Sequence, residues 1–307
     1  MRAECTLISA GTEIAIYSGA HIGYTIPGAT YPRLPFHPGY AFAGTVEAVG
    51  SAVTAYRPGD RVGGALPHTD WAVVDTSRSA LYRLPEGVSF EQGCLARLAA
   101  ISMQGVRLAQ LRLGERAAVF GQGLIGQFAR QLVTLDGASV AIAVDLIDAR
   151  LEVAKRYGAT HLVNPSRQNT AEEIAAATGG QGVDVAIEAT GKPAVINDAL
   201  KAAATLGRVV LLGSPRGRVE IDPYSDIHRK GVSVIGAHAN TAASPGNAYQ
   251  RWTTPEQIAL AVELMRQGRL RTDGLITHRL PAEEALGIFD ALTERQRDYL
   301  GVLIQWT

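Results

Sequence analysis

Between residues 117 and 135 the chain passes from the apolar run Ala117-Ala118-Val119-Phe120, through Gly121-Gln122-Gly123-Leu124-Ile125-Gly126, into an amphipathic stretch ending at Leu135. Few folds accept that order. A G-x-G-x-x-G loop that follows a strand and opens a helix is the phosphate-binding turn of a doubly wound sheet. Gly121 is expected to make the tight turn and Gly123 to let the backbone approach a pyrophosphate. Gly126 would let helix and strand pack closely, and the amides of Gln122, Leu124 and Ile125 lie at the positive end of the helix, where phosphates bind.

The surroundings fit this reading. Short β-branched runs alternate with alanine-rich stretches, predicting parallel strands at Ala117–Phe120, Val140–Asp145, Leu162–Asn164, Val183–Glu188, Arg208–Gly213 and Val232–Gly236. Asp145 ends the second strand, where a carboxylate accepts the ribose hydroxyls of NAD and repels the extra phosphate of NADP. Arg150, on the next helix, is the residue that would instead favour NADP. Ligands bind beyond the carboxyl ends of such strands, which brings Thr190, Gly213 and Ser214 to the cofactor, and His238 and Asn240 within reach of a substrate. NAD is the expected cofactor, with NADP the lesser alternative.

Residues 1–95 read differently, with half-buried alternating strands at Arg2–Leu7, Gly44–Gly50 and after the Arg57–Asp60 turn, then Trp71–Val74. After the middle segment, 96–249, the tail from 250 to 307 offers an N-cap at Thr253 with Pro255 in the first turn, a helix to about Gln267, a strand at Leu275–Leu280, a helix after Pro281 and a strand at Gly301–Gln305. The order implies an α/β chain in which a six-stranded doubly wound domain interrupts a β-rich one.

Lysine plus arginine equals aspartate plus glutamate at 29 each, with no basic stripe of the kind nucleic acid requires. No apolar run reaches the ~18–20 residues of a membrane span. Cys5 and Cys94 are the only cysteines, which fits a reducing cytoplasm and leaves no set for a four-cysteine zinc lobe.

Four blocks, Ala10-Gly11-Thr12-Glu13, Pro38-Gly39-Tyr40 followed by Gly44–Gly50, Pro58–Val62, and the glycine loop, resemble the medium-chain dehydrogenase/reductase superfamily, a GroES-like catalytic domain interrupted by a Rossmann domain. Within it the chain looks like a zinc-lacking branch that includes hydroxyethyl-bacteriochlorophyllide dehydrogenases and polyol- or sugar-type enzymes. The resemblance implies hydride transfer between nicotinamide and an alcohol or ketone. It also implies zinc ligands at positions that hold Ala10, Tyr40 and a residue at or beside Ala96 here, so neither catalytic nor structural zinc is expected. His37, Cys94 and Glu13 do not rebuild a three-ligand site. Superfamily members carry opening strands ahead of the first block, whereas this sequence begins almost at it; an unpaired sheet edge is one expected result.

Without a metal, some side chain must polarise the substrate oxygen and move a proton. Thr12 holds the position of the relaying hydroxyl in the zinc enzymes, or else caps a turn. Tyr40 replaces a ligand and can donate to the substrate oxygen, or else is a core aromatic; to act as a base, its phenol would need a positive charge beside it. Glu13 and His37 are further proton-transfer candidates, and His21, His238, Asn240 and Trp252 are candidate substrate contacts. The expected enzyme is a zinc-independent NAD-dependent alcohol dehydrogenase for a small polyol, sugar-like or hydroxyalkyl compound. An NADPH-dependent quinone or enone reductase and a non-catalytic dinucleotide binder are the alternatives. A homodimer through Val232–Ile235 is expected.

Overall fold

Residues 1–77, 81–242, 251–294 and 299–306 are described by a computed structural model. In chain order the strands are β1 (Arg2–Ile8), β2 (Phe42–Thr45), β3 (Arg61–Gly64), β4 (Leu81–Arg83), β5 (Arg116–Phe120), β6 (Val140–Val144), β7 (His161–Val163), β8 (Val183–Glu188), β9 (Ala203–Leu211), β10 (Ser233–Gly236), β11 (Ile276–Pro281) and β12 (Gly301–Gln305). The α-helices are α1 (Thr12–Tyr17), α2 (Phe90–Ala109), α3 (Leu124–Leu135), α4 (Asp148–Arg156), α5 (Thr170–Ala177), α6 (Pro193–Ala202), α7 (Thr254–Arg266) and α8 (Ala285–Glu294). They fall into two compact units, Met1–Leu98 with Thr253–Thr307, and Ala99–Trp252.

The first unit is built on a sheet of order β11-β12-β1-β2-β3-β4. Alternation along β1 buries Ala3, Cys5 and Leu7. That strand is paired on both sides, antiparallel to β12 and to β2, so the edges of the sheet are β11 and β4. Ile8, Ile14, Leu280, Phe289, Leu292 and Val302 form a core beneath it. Thr253 caps α7 in a reciprocal capping box with Glu256, with proline in the first turn.

Two expected strands are corrected here. The alternating Gly44–Gly50 segment is a strand only through Thr45; Val46 then exchanges backbone bonds with the 57–60 turn at 2.9 and 2.8 Å, and residues 47–50 are exposed. Beyond Thr45 the segment has no strand beside it, because its pairing with β1 ends at Arg2 and its pairing with β3 at Arg61. Trp71–Val74 contributes only an isolated bridge from Trp71 to Arg2, and Val73 is wholly exposed.

The second unit is a parallel sheet of order β10-β9-β8-β5-β6-β7. In the order of its own strands this is 6-5-4-1-2-3, the doubly wound arrangement. The central strands are apolar because helices cover both faces; Ala118, Val119, Val185, Ala186 and Ile187 are all completely buried. The fifth strand starts at Ala203 rather than at Arg208, with a register shift against β8. Alanine-rich residues that read as the end of a helix supply this early part.

Candidate functional site: a dinucleotide cradle and a hydroxyl cluster

In the second unit, the glycine loop sits between β5 and α3. Gly121 has φ +89°, a conformation that favours glycine. Its amide donates to the Val144 carbonyl at 2.7 Å, tying the turn to β6. A Cβ on Gly126 would stand 1.7 Å from the Gly121 carbonyl oxygen, so helix and turn touch backbone to backbone. At Gly123, by contrast, a Cβ would meet nothing within 4 Å. Gly123 is the N-cap of α3, with no side chain capping its amides, and such a helix end is a site for phosphate. Leu124 is buried, and Ile125 accepts the Ser102 hydroxyl at its carbonyl at 2.9 Å.

The Asp145 carboxylate accepts the Gln122 amide at 2.6 Å and the Ile147 amide at 2.8 Å. It thus fastens the glycine loop to the tip of β6, a role the sequence does not announce. Gln122 also anchors the turn by donating to the Val119 carbonyl at 2.8 Å. Arg150 lies half-buried on α4; burial pulls its guanidinium below the ordinary value while the Asp145 charge opposes this. At the end of β8, the completely buried Glu188 accepts the Thr190 amide at 2.6 Å, the Thr190 hydroxyl, and the Gly191 amide at 3.0 Å. Burial raises its pKa, against those hydrogen bonds. A Cβ on Gly121 would lie 2.6 Å from Thr190 Cγ2, one on Gly213 2.3 Å from the Gly191 amide, and one on Gly191 2.5 Å from the Ser214 carbonyl oxygen. Thr190, Gly213 and Ser214 therefore assemble with the loop at the carboxyl edge, and these residues fit a nicotinamide dinucleotide.

His238 and Asn240 are exposed, with His238 Nδ1 accepting the Asn240 amide at 3.1 Å in a short 3-10 turn. Trp252 lies beneath the Arg107 guanidinium, 4.0 Å from its ring centroid.

In the first unit, Thr12, Glu13 and Tyr40 come together with residues that spacing alone did not indicate. Glu13 is buried on α1; its carboxylate accepts the Ser9 amide at 3.0 Å and bonds His68 Nε2 at 2.8 Å. His68 Nδ1 meets the Thr6 hydroxyl at 2.8 Å, and Trp306 Nε1 donates to the same hydroxyl at 3.0 Å. The pair ties the turn of residues 9–13 to β1 and to the loop after β3. Gly39 allows this approach, since a Cβ there would sit 2.3 Å from the His68 amide. The Tyr40 hydroxyl bonds Ser9 Oγ, and the Arg97 guanidinium stands 5.5 Å from the centroid of its ring. Burial pushes the Tyr40 phenol above the ordinary tyrosine value and the Glu13 charge adds to this, while Ser9, Thr12 and Arg97 pull the other way. At neutral pH the phenol is a donor.

His37 is exposed, and His21 Nδ1 accepts the Gly23 amide at 3.1 Å in a 3-10 turn against Tyr31.

The ligand positions of the zinc enzymes do not fit the metal here. Ala10 and Ala96 carry no donor, Tyr40 is engaged by Ser9, and the Cys94 thiol donates to the Cys5 carbonyl at 3.3 Å. Burial holds that thiol well above its ordinary pKa. Among the described residues no three His, Cys, Asp or Glu converge as a metal-holding group. No helix among them is long and apolar enough to cross a membrane.

Residues 9–109 match the model of the alcohol dehydrogenase GroES-like domain, and residues 125–254 that of the zinc-binding dehydrogenase domain. The chain is 32% identical over 243 residues to a D-guloside 3-dehydrogenase of Escherichia coli, covering 78% of this chain and 69% of the relative. It is 30% identical over 285 residues to the (R,R)-butanediol dehydrogenase of Bacillus subtilis, covering 84% and 77%. The crystal structure of the 2R,3R-butanediol dehydrogenase of that organism superposes with a TM-score of 0.79 at 28% identity, covering 99% of this chain and 91% of the other. With the glycine cradle and the two units described, these likenesses establish that the chain belongs to the medium-chain dehydrogenase/reductase superfamily and is an alcohol dehydrogenase-like oxidoreductase that binds a nicotinamide dinucleotide.

Proposed function

We propose that this enzyme is a zinc-independent, NAD-preferring dehydrogenase that interconverts a secondary alcohol and its ketone, with a small polyol, sugar-like or hydroxyalkyl compound as substrate. The observation that carries the reading is the Tyr40 phenol, protonated and held by Ser9, at a position where the zinc enzymes have a ligand. Asp145 at the tip of β6 supports NAD, and the names of the curated relatives support the substrate class.

When bound, the dinucleotide supplies or accepts the hydride. In ketone reduction the Tyr40 hydroxyl donates to the carbonyl oxygen, and its proton passes there as the carbon takes up hydride. Thr12, half-buried and close enough to lower the phenol's pKa, returns a proton from solvent. Oxidation moves the same proton and electron pair in reverse. Glu13, bonded to His68 and to the Ser9 amide, holds the turn rather than exchanging protons.

The test is Tyr40→Phe together with chelator treatment. Loss of a single positioned donor costs turnover about 10²–10³-fold, with NADH affinity kept and wild-type activity resistant to a zinc chelator. Unchanged turnover in the variant, or activity abolished by chelation, would overturn the reading; an NADPH preference would favour a quinone or enone reductase. NADH binding without turnover of any secondary alcohol would favour a non-catalytic role. The two free thiols support a reducing cytoplasm. A homodimer is proposed through β10, an edge strand whose Val234 is 42% exposed; sedimentation as a monomer at micromolar concentration would refute it.

A further inference from the structure

Arg97 is the one feature of the Tyr40 cluster that the reading above leaves without a task. It lies on α2 beside Ala96, so a cation stands next to a position where the zinc enzymes have a ligand. Its guanidinium is over the Tyr40 ring at 5.5 Å, and among the described residues it makes no hydrogen bond or ion pair; its Nε is buried without a partner. A guanidinium nitrogen buried without a partner is expensive to keep. The acids that might neutralise it are committed elsewhere. Glu13 is bonded to His68 at 2.8 Å, and Glu91 on the same helix to Arg279 at 2.6 Å. The other polar groups of the cluster, Ser9, Thr12 and the Tyr40 hydroxyl, are uncharged, and Ser9 and Tyr40 are bonded to each other.

We propose that Arg97 recognises an anionic group of the substrate, a carboxylate or a phosphate borne on the same small molecule whose alcohol or ketone oxygen meets Tyr40. The planar fork of a guanidinium matches either group with two parallel hydrogen bonds. Its distance from the Tyr40 ring places that group a few carbons at most from the reacting one. The substrate class narrows from neutral polyols to acidic ones: hydroxy acids of the sugar type or phosphorylated polyols. This inference rests on the reading of the chain as a polyol-type dehydrogenase, and its test does not require turnover.

D-sorbitol, D-gluconate and D-sorbitol 6-phosphate are titrated by calorimetry into NADH-saturated protein, where an alcohol forms a dead-end complex. At least one of the two anions should bind ten or more times tighter than sorbitol, with gluconate favoured for a carboxylate pocket and sorbitol 6-phosphate for a phosphate pocket. Arg97→Gln should erase that preference, and Arg97→Lys should keep part of it. Should Arg97→Gln not fold, Arg97→Lys and the fall of anion affinity with added salt decide the matter. Equal binding of sorbitol and both anions, no binding of any, or a preference that survives Arg97→Gln overturns the proposal. So does a loss confined to NADH affinity. Failure of NADH itself to bind wild-type protein would instead refute the enzymatic reading.

Discussion

Alanine at Gly123 and alanine at Gly126 should damage the protein in different ways, although both sit in one motif. At Gly126 the new Cβ would lie 1.7 Å from the Gly121 carbonyl oxygen and 2.8 Å from its carbon. Neither side can yield easily. Gly121 has a positive φ, donates to Val144, and abuts Thr190; the helix behind it is packed through Phe128 and Ala129, both fully buried. Relieving the clash means moving backbone by more than an ångström, at the upper end of the ~1–3 kcal/mol usual for overpacking. Roughly 2–4 °C of melting temperature per kcal/mol in a domain of this size gives a fall of about 4–12 °C. The same movement displaces the amides that meet the phosphates. At Gly123 the added carbon meets nothing within 4 Å and φ is −68°, so folding should change little and melting should shift by under about 2 °C. The approach of a pyrophosphate should still be blocked, and losing even one hydrogen bond to a charged group, worth ~1.5–3 kcal/mol, weakens binding by about 10–100-fold. Differential scanning fluorimetry without ligand and NADH fluorescence titration separate the two effects. Undiminished NADH affinity in Gly123→Ala, or equal melting losses in both variants, would refute the reasoning.

Three further outcomes are expected. His68→Ala removes the ring that bonds the buried Glu13 side chain at 2.8 Å, and leaving a buried group without its hydrogen bond costs about 1–3 kcal/mol; a urea midpoint equivalent to less than ~1 kcal/mol would contradict the buried pair. Asp145→Ala should raise the NADPH:NADH affinity ratio and, because Asp145 also holds the Gln122 amide, weaken NADH binding about tenfold or more; an unchanged ratio would remove Asp145 from cofactor selection. Asp184 accepts Arg116 at 2.9 Å through both carboxylate oxygens, and that guanidinium holds it below the usual carboxylate range. Its folded pKa is depressed, so its contribution is present above the unfolded value near ~3.9 and is lost as pH falls through the lower folded value. Wild type should lose more stability than Asp184→Asn across that interval in acid titration, and parallel curves would contradict the linkage.

The second unit was legible because its signals are local. A continuous apolar run, a glycine turn and an amphipathic helix lie consecutively, so Gly121, Gly126 and α3 could be assigned from spacing alone. Legibility failed where alternation had no partner, as at Val46–Val49, and where alanines suited helix and strand equally, as at Ala202–Ala204. The hydroxyl cluster was half legible. Thr12, Glu13 and Tyr40 stand in recognisable blocks, whereas His68 and Arg97 reach them only through the folded sheet, with Glu13 and His68 55 positions apart in the chain. A lone histidine between proline and threonine, and an arginine within a helix, carry no periodicity that would reveal such a meeting.

The pairing of β1 with β12 sets an order of events for a chain leaving the ribosome. Thr6 lies opposite Ile304, while all six strands of the parallel sheet belong to one continuous stretch. That sheet can close before β11 and β12 have been synthesised. Until then one flank of β1 has no strand to receive its backbone groups, and the first unit must wait for a contact of very long sequence separation, the slowest kind to form. During the wait an apolar strand stays available to foreign edges. The step most in need of a chaperone is therefore the one in which β12 comes back to β1.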